Sequence, residues 1–326
     1  TMAEALRFME DCLMSAGASP EVAVQQAEML VQADRFGCPC HGMHKLEYYV
    51  NDILHGTCTP NKKPIVVKET VSTALVDANN VLGATASNFG MDLAIAKAKE
   101  TGIGWVSVKG SNHNGRCGYW AKKAADKGMI GMAFSNSQLL LGRMWRNGKA
   151  SLCKSDPTPP LNQGRASKRQ CQNSNSTLPG SKYGHHVPNR TEEEGGPVAD
   201  LGQCFVAIDP EAFAPGFGER LADCMQHWRQ LPPVCPIRIV PILLAPGDLE
   251  KNFAAQVDNR GTFVYIKNQI ESCAALAERL KVTPMVVVMD QGAEVAGAVI
   301  EDATDSTTDI AHPEDTKEDK EPVKNI

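Results

Sequence analysis

His113 stands in a polar, glycine-rich turn, "KGSNHNGRCGYW", directly behind the apolar run "IGWVSV". The apolar run predicts a strand, so the imidazole lies between the carboxyl end of a strand and the N-terminus of a helix. Ligands of open α/β sheets bind at that edge, where free backbone N–H groups favour anions. His113 is therefore a candidate proton donor or acceptor; the alternative is a turn histidine without a chemical role.

A second group of reactive side chains lies in "CPCHGMHK", which starts at Cys38. Its two cysteines and two histidines suggest zinc, but the spacing lacks the usual two-residue gap and no second cysteine pair follows. Alternatively, His41 and Lys45 are four residues apart and share one face of a helix, where an imidazole and an ammonium group can hold a carboxylate. The third alternative is the start of a surface helix with a solvated lysine.

Two further residues follow predicted strands. Ser137 ends "FSNS", on the same edge of the sheet as His113, and Gly247 occupies the turn of "LLAPGDLE", where backbone can approach a ligand closely. Each alone is also compatible with ordinary turn chemistry. The chain contains no G-x-G-x-x-G fingerprint, which argues against a standard Rossmann nucleotide site.

These residues need a sheet and helices to position them, and the hydrophobic pattern supplies both. In the first half the alternation of strand, crossover and strand is typical of parallel βαβ units. The predicted elements there are a helix at 2–15, a helix from Pro20 to about Phe36 with Ser19 as N-cap, strands "PIVVK" and "STALVDA", a helix from the cap Ser87 to the terminator Gly102, a strand at 103–109, a helix at 116–127 and the strand "MIGMAFS".

The second half resumes the same pattern after a polar interruption. The predicted elements are the strand "GQCFVAIDP", a helix around "FGERLADCMQHWRQL", the strand "IRIVPILL" and a helix around "NQIESCAALAERL". We divide the chain into an N-terminal helical, substrate-binding part (1–70), a βαβ part of a cofactor domain (71–141), a polar segment expected to be disordered (142–197), a C-terminal α/β part (198–300) and an acidic tail expected to be disordered (301–326).

Composition limits the class of protein. The chain has 326 residues, 42% of them hydrophobic and 22% charged, as expected of a globular protein, and no apolar run reaches the length of a membrane helix. Its 11 cysteines are scattered among core-like positions, which favours reduced thiols and a cytoplasmic location. The net charge is −5, of which −6 falls in 301–326, so the remainder is near neutral and argues against nucleic acid as a partner.

The motifs resemble the type 2 malate/L-lactate dehydrogenases, NAD(P)-dependent oxidoreductases that include ureidoglycolate and sulfolactate dehydrogenases. The resemblance covers most of 1–137 and about 198–285. It implies a non-Rossmann α/β fold, NAD or NADP as cofactor, a small 2-oxo or 2-hydroxy acid as substrate, and a homodimer. The resembling stretches are "ADRFGCPCHGMHKLEYYVNDI", "VDANNVLGATASNFGMDLAIAKAKETGIGWVSVKGSNHNGRCGYW", "GMIGMAFSNS" and "LGQCFVAIDPEAFAPGF".

The resemblance also assigns roles to single residues. His113 matches the catalytic acid/base histidine of the family's His-x-Gly turn, and His41 matches the histidine of its Ser-His-Gly motif near the substrate. Lys45 falls where the family usually has an arginine that holds the substrate carboxylate. Ser137 and Gly247 match cofactor-contacting positions.

The chain departs from the family pattern in three places. Cys40 replaces the serine before His41, Lys45 replaces the arginine, and about forty polar residues after Ser137 replace roughly a hundred family residues that help to build the cofactor domain. The family fold is therefore expected to be disrupted in its central part. Two functions remain: a 2-hydroxy-acid dehydrogenase with His113 as proton donor and acceptor, or a non-catalytic, truncated splice-type variant that dimerises or binds small acids without turnover.

The polar segment yields the first testable prediction. Its five aliphatic side chains can contribute about 1.5–3 kcal/mol each on burial, whereas ordering its backbone costs about 1–2 kcal/mol for every residue. Brief trypsin treatment, followed by mass spectrometry, is expected to cut there first and to leave two stable blocks. Resistance of these sites while the rest is digested would contradict the expected disorder. The expected first sites are Arg143, Arg146, Lys149, Arg165, Lys168 and Arg169.

Overall fold

The computed structural model describes residues 1–136, 198–231 and 245–288. The described residues up to Val286 belong to one compact unit. Four expectations lie outside the described residues: the disorder of 142–197, the strand "IRIVPILL", the acidic tail 301–326 and the position of Ser137.

Three helices form the N-terminal part: α1 (Met2–Ser15), α2 (Pro20–Arg35) and α3 (Leu46–Leu54). The apolar positions of α1 recur at helical spacing, and this face is buried in the core. The predicted start of α2 at Pro20 is confirmed, since a proline at the first helical position costs no hydrogen bond. Ser19 occupies the N-cap position, but its side chain makes no capping hydrogen bond.

Five strands of the described residues form one sheet: β1 (Ile65–Glu69), β2 (Thr73–Asp77), β3 (Ile103–Ser111), β4 (Ile130–Ser135) and β5 (Leu201–Ile208). Their order is β1-β2-β3-β5-β4. β2 and β3 are parallel, as the βαβ pattern predicts, whereas β1 is antiparallel to β2.

The predicted parallel pairing of β3 with β4 is wrong. β3 and β4 do not pair with each other, because β5 lies between them and is antiparallel to both. β5 is the most buried strand of the sheet, which explains its nearly continuous run of apolar and small residues. The spacing of β3, its helix and β4 gives no sign of a strand that is inserted from far along the chain.

Two helices cover the sheet: α4 (Gly83–Thr101) and α5 (Cys117–Ala125). Ser87 does not cap α4, because the helix begins at Gly83 and Ser87 is buried inside it. The predicted terminator Gly102 is confirmed, with a left-handed φ of 80°. α4 lies so close to β3 that a Cβ on Gly104 would overlap the backbone carbonyl of Ala94.

The C-terminal part contributes α6 (Phe217–Gln230), α7 (Asp248–Arg260) and α8 (Lys267–Leu280). The sequence patterns predict α6 and α8 but miss α7, although Leu249, Phe253 and Val257 recur there at helical spacing. α8 buries Cys273, Leu276 and Ala277 in the core that α1 also enters. Within the described ranges, no helix combines the length and the apolar character that crossing a membrane requires.

Burial separates the described cysteines into three groups, of which Cys117 alone forms the partly buried one. Cys12, Cys38, Cys58, Cys204 and Cys273 are buried, as their apolar surroundings in the sequence predict. Cys40 and Cys224 are exposed.

The close approach of α4 and β3 predicts the effect of a single methyl group. Gly104→Ala is expected to lower the free energy of unfolding by about 1–3 kcal/mol, because the new Cβ must displace backbone rather than a flexible side chain. Gly218→Ala is the control, since a Cβ there meets nothing within 4 Å and a helical position favours alanine over glycine, and it is expected not to lower the free energy of unfolding. Urea denaturation measures both; equal stabilities would contradict the prediction.

Candidate active site

His113 lies in the loop that follows β3, as the sequence predicts, and its side chain is partly buried. Its Nδ1 atom lies 2.6 Å from the hydroxyl oxygen of Tyr49 on α3 and accepts a hydrogen bond of 3.3 Å from the Gly115 N–H. Gly115 has a φ of 66°, a left-handed conformation that turns its N–H back toward the ring. Because both contacts use Nδ1, Nε2 is the ring nitrogen that remains for a ligand.

A network of buried polar side chains holds this loop in place. Gln203 of β5 donates from Nε2 to the carbonyl of Asn112 at 2.8 Å and accepts from Ser111 at 3.1 Å. Asn114 donates to the hydroxyl of Ser87 on α4 at 3.0 Å. All these side chains are buried, and such groups are stable inside a protein only when they are hydrogen-bonded.

His41 and Lys45 do not share a helix, so that interpretation is wrong. They end two successive 3-10 turns, Pro39–His41 and Met43–Lys45, which Gly42 separates, and α3 starts only at Leu46. Proline and glycine punctuate the segment and prevent a continuous helix. The side chains of His41 and Lys45 nevertheless lie close enough to His113 to interact with its ring.

The structure brings His41 and Lys45 to His113. The rings of His41 and His113 are stacked, with centroids 5.7 Å apart. The Lys45 ammonium lies 5.2 Å from the ring centroid of Tyr48, which in turn lies 6.3 Å edge-on from the ring of His113. The Tyr48 ring thus lies beside both Lys45 and His113, and its cation–π contact restrains the flexible lysine side chain.

Burial and charge determine the proton affinity of His113. Desolvation, together with the positive charges of His41 and Lys45, lowers the pKa of His113 to about 3. The imidazole is therefore neutral at pH 7. Burial raises the pKa of the Tyr49 phenol, which stays protonated and keeps its hydrogen bond to His113.

Gly247 lies on the turn before α7 with a φ of 89°, a conformation that strains any residue with a Cβ. Arg116, three residues after His113, forms an ion pair of 2.9 Å with Glu250 in the first turn of α7. This ion pair connects the Gly247 turn with the loop of His113. Ser137, the other predicted cofactor contact, lies outside the described residues.

The zinc interpretation of the Cys38 segment finds no ligand set among the residues that the structure describes. In those ranges, no three histidine, cysteine or acidic side chains are placed to hold a metal ion. Cys38 is buried, whereas Cys40 is exposed with its Sγ atom 3.1 Å from Nδ1 of His41.

Tyr48 and Tyr49 are site residues that the sequence reasoning missed. Tyr49 contacts His113 and Tyr48 contacts Lys45, and both belong to the first turns of α3. Their signal was available as two adjacent aromatic side chains shortly after Lys45, in a chain with only 6% aromatic residues.

The electrostatics of the site predict the effect of removing one cation. Lys45→Met is expected to raise the pKa of His113, because the Lys45 charge is one of the causes that lower it. The measurement is a pH titration of the His113 ring by NMR on histidine-labelled protein. Lys63→Met, at an exposed position, is the control and should leave the titration unchanged. An unchanged His113 pKa in Lys45→Met would contradict the geometry.

Residues 1–152 match the family model for malate/L-lactate dehydrogenase. The curated malate dehydrogenase of Pyrococcus horikoshii is 41% identical over 134 residues, which is 41% of this chain and 37% of that relative. The L-sulfolactate dehydrogenase of Methanothermobacter thermautotrophicus is 33% identical over 41% of this chain and 40% of the relative. The NAD(+) ureidoglycolate dehydrogenase of Escherichia coli K12 is 33% identical over 40% of this chain and 38% of the relative. The matched part thus spans about two-fifths of these curated relatives' length.

Similarity of fold extends further along the chain than the sequence match. The malate dehydrogenase structure of Pyrococcus horikoshii OT3 superposes with a TM-score of 0.71 at 24% identity, over 86% of this chain and 94% of that one. The sulfolactate dehydrogenase structure of Methanocaldococcus jannaschii gives a TM-score of 0.72 at 20% identity, over 87% and 97%. The stretch "LGQCFVAIDPEAFAPGF" lies beyond the range of the family model but inside the described fold. Residues 1–152 are thus similar to the malate/L-lactate dehydrogenase family, and the fold of the chain is similar to that of the malate and sulfolactate dehydrogenase structures.

Proposed function

We propose that the protein is an NAD(P)-dependent oxidoreductase that interconverts a small 2-hydroxy acid, of malate or lactate type, with its 2-oxo acid. The observation that supports this most is the convergence of His113, His41 and Lys45 from two distant segments of the chain. A neutral imidazole beside the Lys45 ammonium and the His41 ring matches a substrate that presents a carboxylate next to a hydroxyl or ketone.

His41 and Lys45 hold the substrate carboxylate in this proposal. Both charges act on His113 through space, so an anion bound to them also lies next to the imidazole. Lysine lacks the planar fork of arginine and binds a carboxylate as a point charge. The carboxylate is therefore held with less directional precision than an arginine would give.

His113 exchanges the proton of the reacting oxygen through Nε2. In the oxidation direction, the neutral ring accepts the proton from the substrate hydroxyl; in the reduction direction, the protonated ring returns it to the ketone oxygen. The bound carboxylate offsets the charges of His41 and Lys45, which are among the causes that lower the pKa of His113. Substrate binding therefore raises the basicity of His113 at the moment when it has to accept a proton.

NAD or NADP, when bound, would supply or take up the hydride at the substrate carbon. Among the described residues, Gly247 fits such a ligand, because glycine has no side chain and its φ of 89° disfavours any residue with a Cβ. We propose that the backbone at Gly247, together with Ser137, contacts the cofactor. A homodimer and a cytoplasmic location complete the proposal, the latter on the grounds of the buried thiols.

A second candidate function is a protein that binds small acids, or pairs with a second copy, without turnover. It is favoured by one observation, namely that the sequence match spans only 37% of the malate dehydrogenase of Pyrococcus horikoshii. A cofactor domain that lacks part of its sequence would leave the carboxylate-binding residues without a hydride donor.

Turnover distinguishes the two candidates. A panel of 2-oxo acids, assayed with NADH and NADPH by nicotinamide absorbance, is expected to reveal a substrate, and His113→Ala is expected to lower kcat by about 10²–10⁴-fold. Lys45→Arg is the matched variant, which is expected to lower KM because a guanidinium group binds a carboxylate through two hydrogen bonds. Turnover that survives His113→Ala unchanged would contradict the assigned role.

Equilibrium titration with NADH covers the case of an inactive protein. The non-catalytic candidate assumes that the protein has lost its cofactor site. Tight, saturable binding of NADH would contradict that assumption. Absence of NADH binding, combined with binding of a 2-oxo acid, would replace the dehydrogenase proposal by the second candidate.

A further inference from the structure

Asp34, near the C-terminal end of α2, contacts the segment that carries His41 and Lys45. Its Oδ2 atom accepts a hydrogen bond of 2.9 Å from the Met43 N–H. The same oxygen accepts a hydrogen bond of 2.9 Å from the hydroxyl of Tyr265, which lies between α7 and α8. One carboxylate oxygen therefore links α2, the two 3-10 turns and the C-terminal part.

The space around this carboxylate shows how closely the segment is fitted to it. A Cβ on Gly42 would overlap Oδ1 of Asp34. The carboxylate therefore leaves no room for a side chain at this position. Gly42 is the hinge between the turn that ends at His41 and the turn that ends at Lys45.

The titratable neighbours of Asp34 among the described residues include His44, Tyr265 and Cys273. Burial raises the pKa of Asp34 to about 6, and the hydrogen bonds from Met43 and Tyr265 together with the charge of His44 act in the opposite direction. The carboxyl group is therefore ionised at pH 7. His44 itself is held at Nδ1, 3.1 Å from Oε1 of Gln269 on α8.

We propose that Asp34 is a positioning residue that sets the distance of His41 and Lys45 from His113, with Tyr265 as its support from the C-terminal part. This inference rests on the proposed function only where it says what the two side chains bind. Without the hydrogen bond to the Met43 N–H, the Gly42–Met43 peptide is free to rotate, and both turns move with it. Asp34 touches no reacting atom in this arrangement and acts through His41 and Lys45.

His113 itself provides a readout that needs no substrate. If His41 and Lys45 move away from His113, their charges no longer lower its pKa, so Asp34→Ala is expected to raise the pKa of His113 as Lys45→Met does. Removal of the Asp34 negative charge alone would, if anything, act in the opposite direction. Loss of stability without movement of the turns would leave the titration unchanged. The sign of the change therefore separates positioning from a direct charge effect and from a purely structural role.

Asp34→Asn is the conservative control, because its carbonyl oxygen can accept from both Met43 and Tyr265. The His113 pKa in Asp34→Asn is expected to stay close to that of the unmodified protein, whereas Asp34→Ala raises it. A His113 pKa unchanged in folded Asp34→Ala, or raised equally in both variants, would overturn the proposal. If Asp34→Ala does not fold, Tyr265→Phe decides: a smaller rise supports the proposal, and an unchanged pKa overturns it.

Calorimetric titration with oxamate, a non-reacting analogue of a 2-oxo acid, tests the consequence for binding. Asp34→Ala is expected to weaken oxamate binding by about tenfold, the effect of one lost hydrogen bond, and to raise KM while kcat stays nearly constant. Equal oxamate affinity in Asp34→Ala and in the unmodified protein would overturn the positioning role. If the unmodified protein binds no oxamate, the proposed function fails, and the His113 titration still decides the role of Asp34.

Discussion

The burial of a polar loop at the carboxyl end of β3 is the constraint on which the rest of this site depends. Asn112 and Asn114 are almost fully enclosed, and each amide must be hydrogen-bonded to make that burial tolerable. Their partners come from α4, β5 and the turn before α4, so three separate elements have to meet at one point. The backbone that results is rigid on both sides of His113. An imidazole in an ordinary exposed turn would sample many rotamers, whereas here its position follows from satisfied hydrogen bonds.

Placing cationic side chains beside His113 is electrostatically unfavourable, and neighbouring aromatic groups reduce this free-energy cost. His41 and Lys45 both oppose protonation of His113, and burial adds to this. The Tyr48 ring offers the ammonium of Lys45 a favourable contact. Near His113 itself the hydrogen-bonding groups that the structure describes are the neutral Tyr49 hydroxyl and the Gly115 N–H.

Much of the fold and of the site was predictable from the sequence, and the failures have physical causes. The start of α2 at Pro20, the end of α4 at Gly102 and the strand before His113 all carry strong local signals. Periodicity and capping act within a few residues, so these signals can be read from the sequence. The placement of β5 between β3 and β4 was not predictable, because pairing across such a distance leaves no local pattern. The predicted helix through His41 and Lys45 was wrong for a different reason: the spacing suggested one helical face, but the segment forms two 3-10 turns that Gly42 separates. The two side chains still meet His113, because tertiary contacts and not a shared helix bring them there.

The position of β5 also fixes when the sheet can be completed. During synthesis β3 and β4 emerge well before residues 201–208, so the edges that later pair with β5 remain open to other chains in the meantime. The entropy of closing the connection grows by only about 0.6 kcal/mol for each doubling of its length, so the number of residues between β4 and β5 has little influence on whether they pair. The arrival of β5 has a large influence, because Gln203 on this strand supplies the last partners of the loop around His113. A nascent chain that stops before β5 would therefore contain every residue of the His113 segment and still lack its geometry.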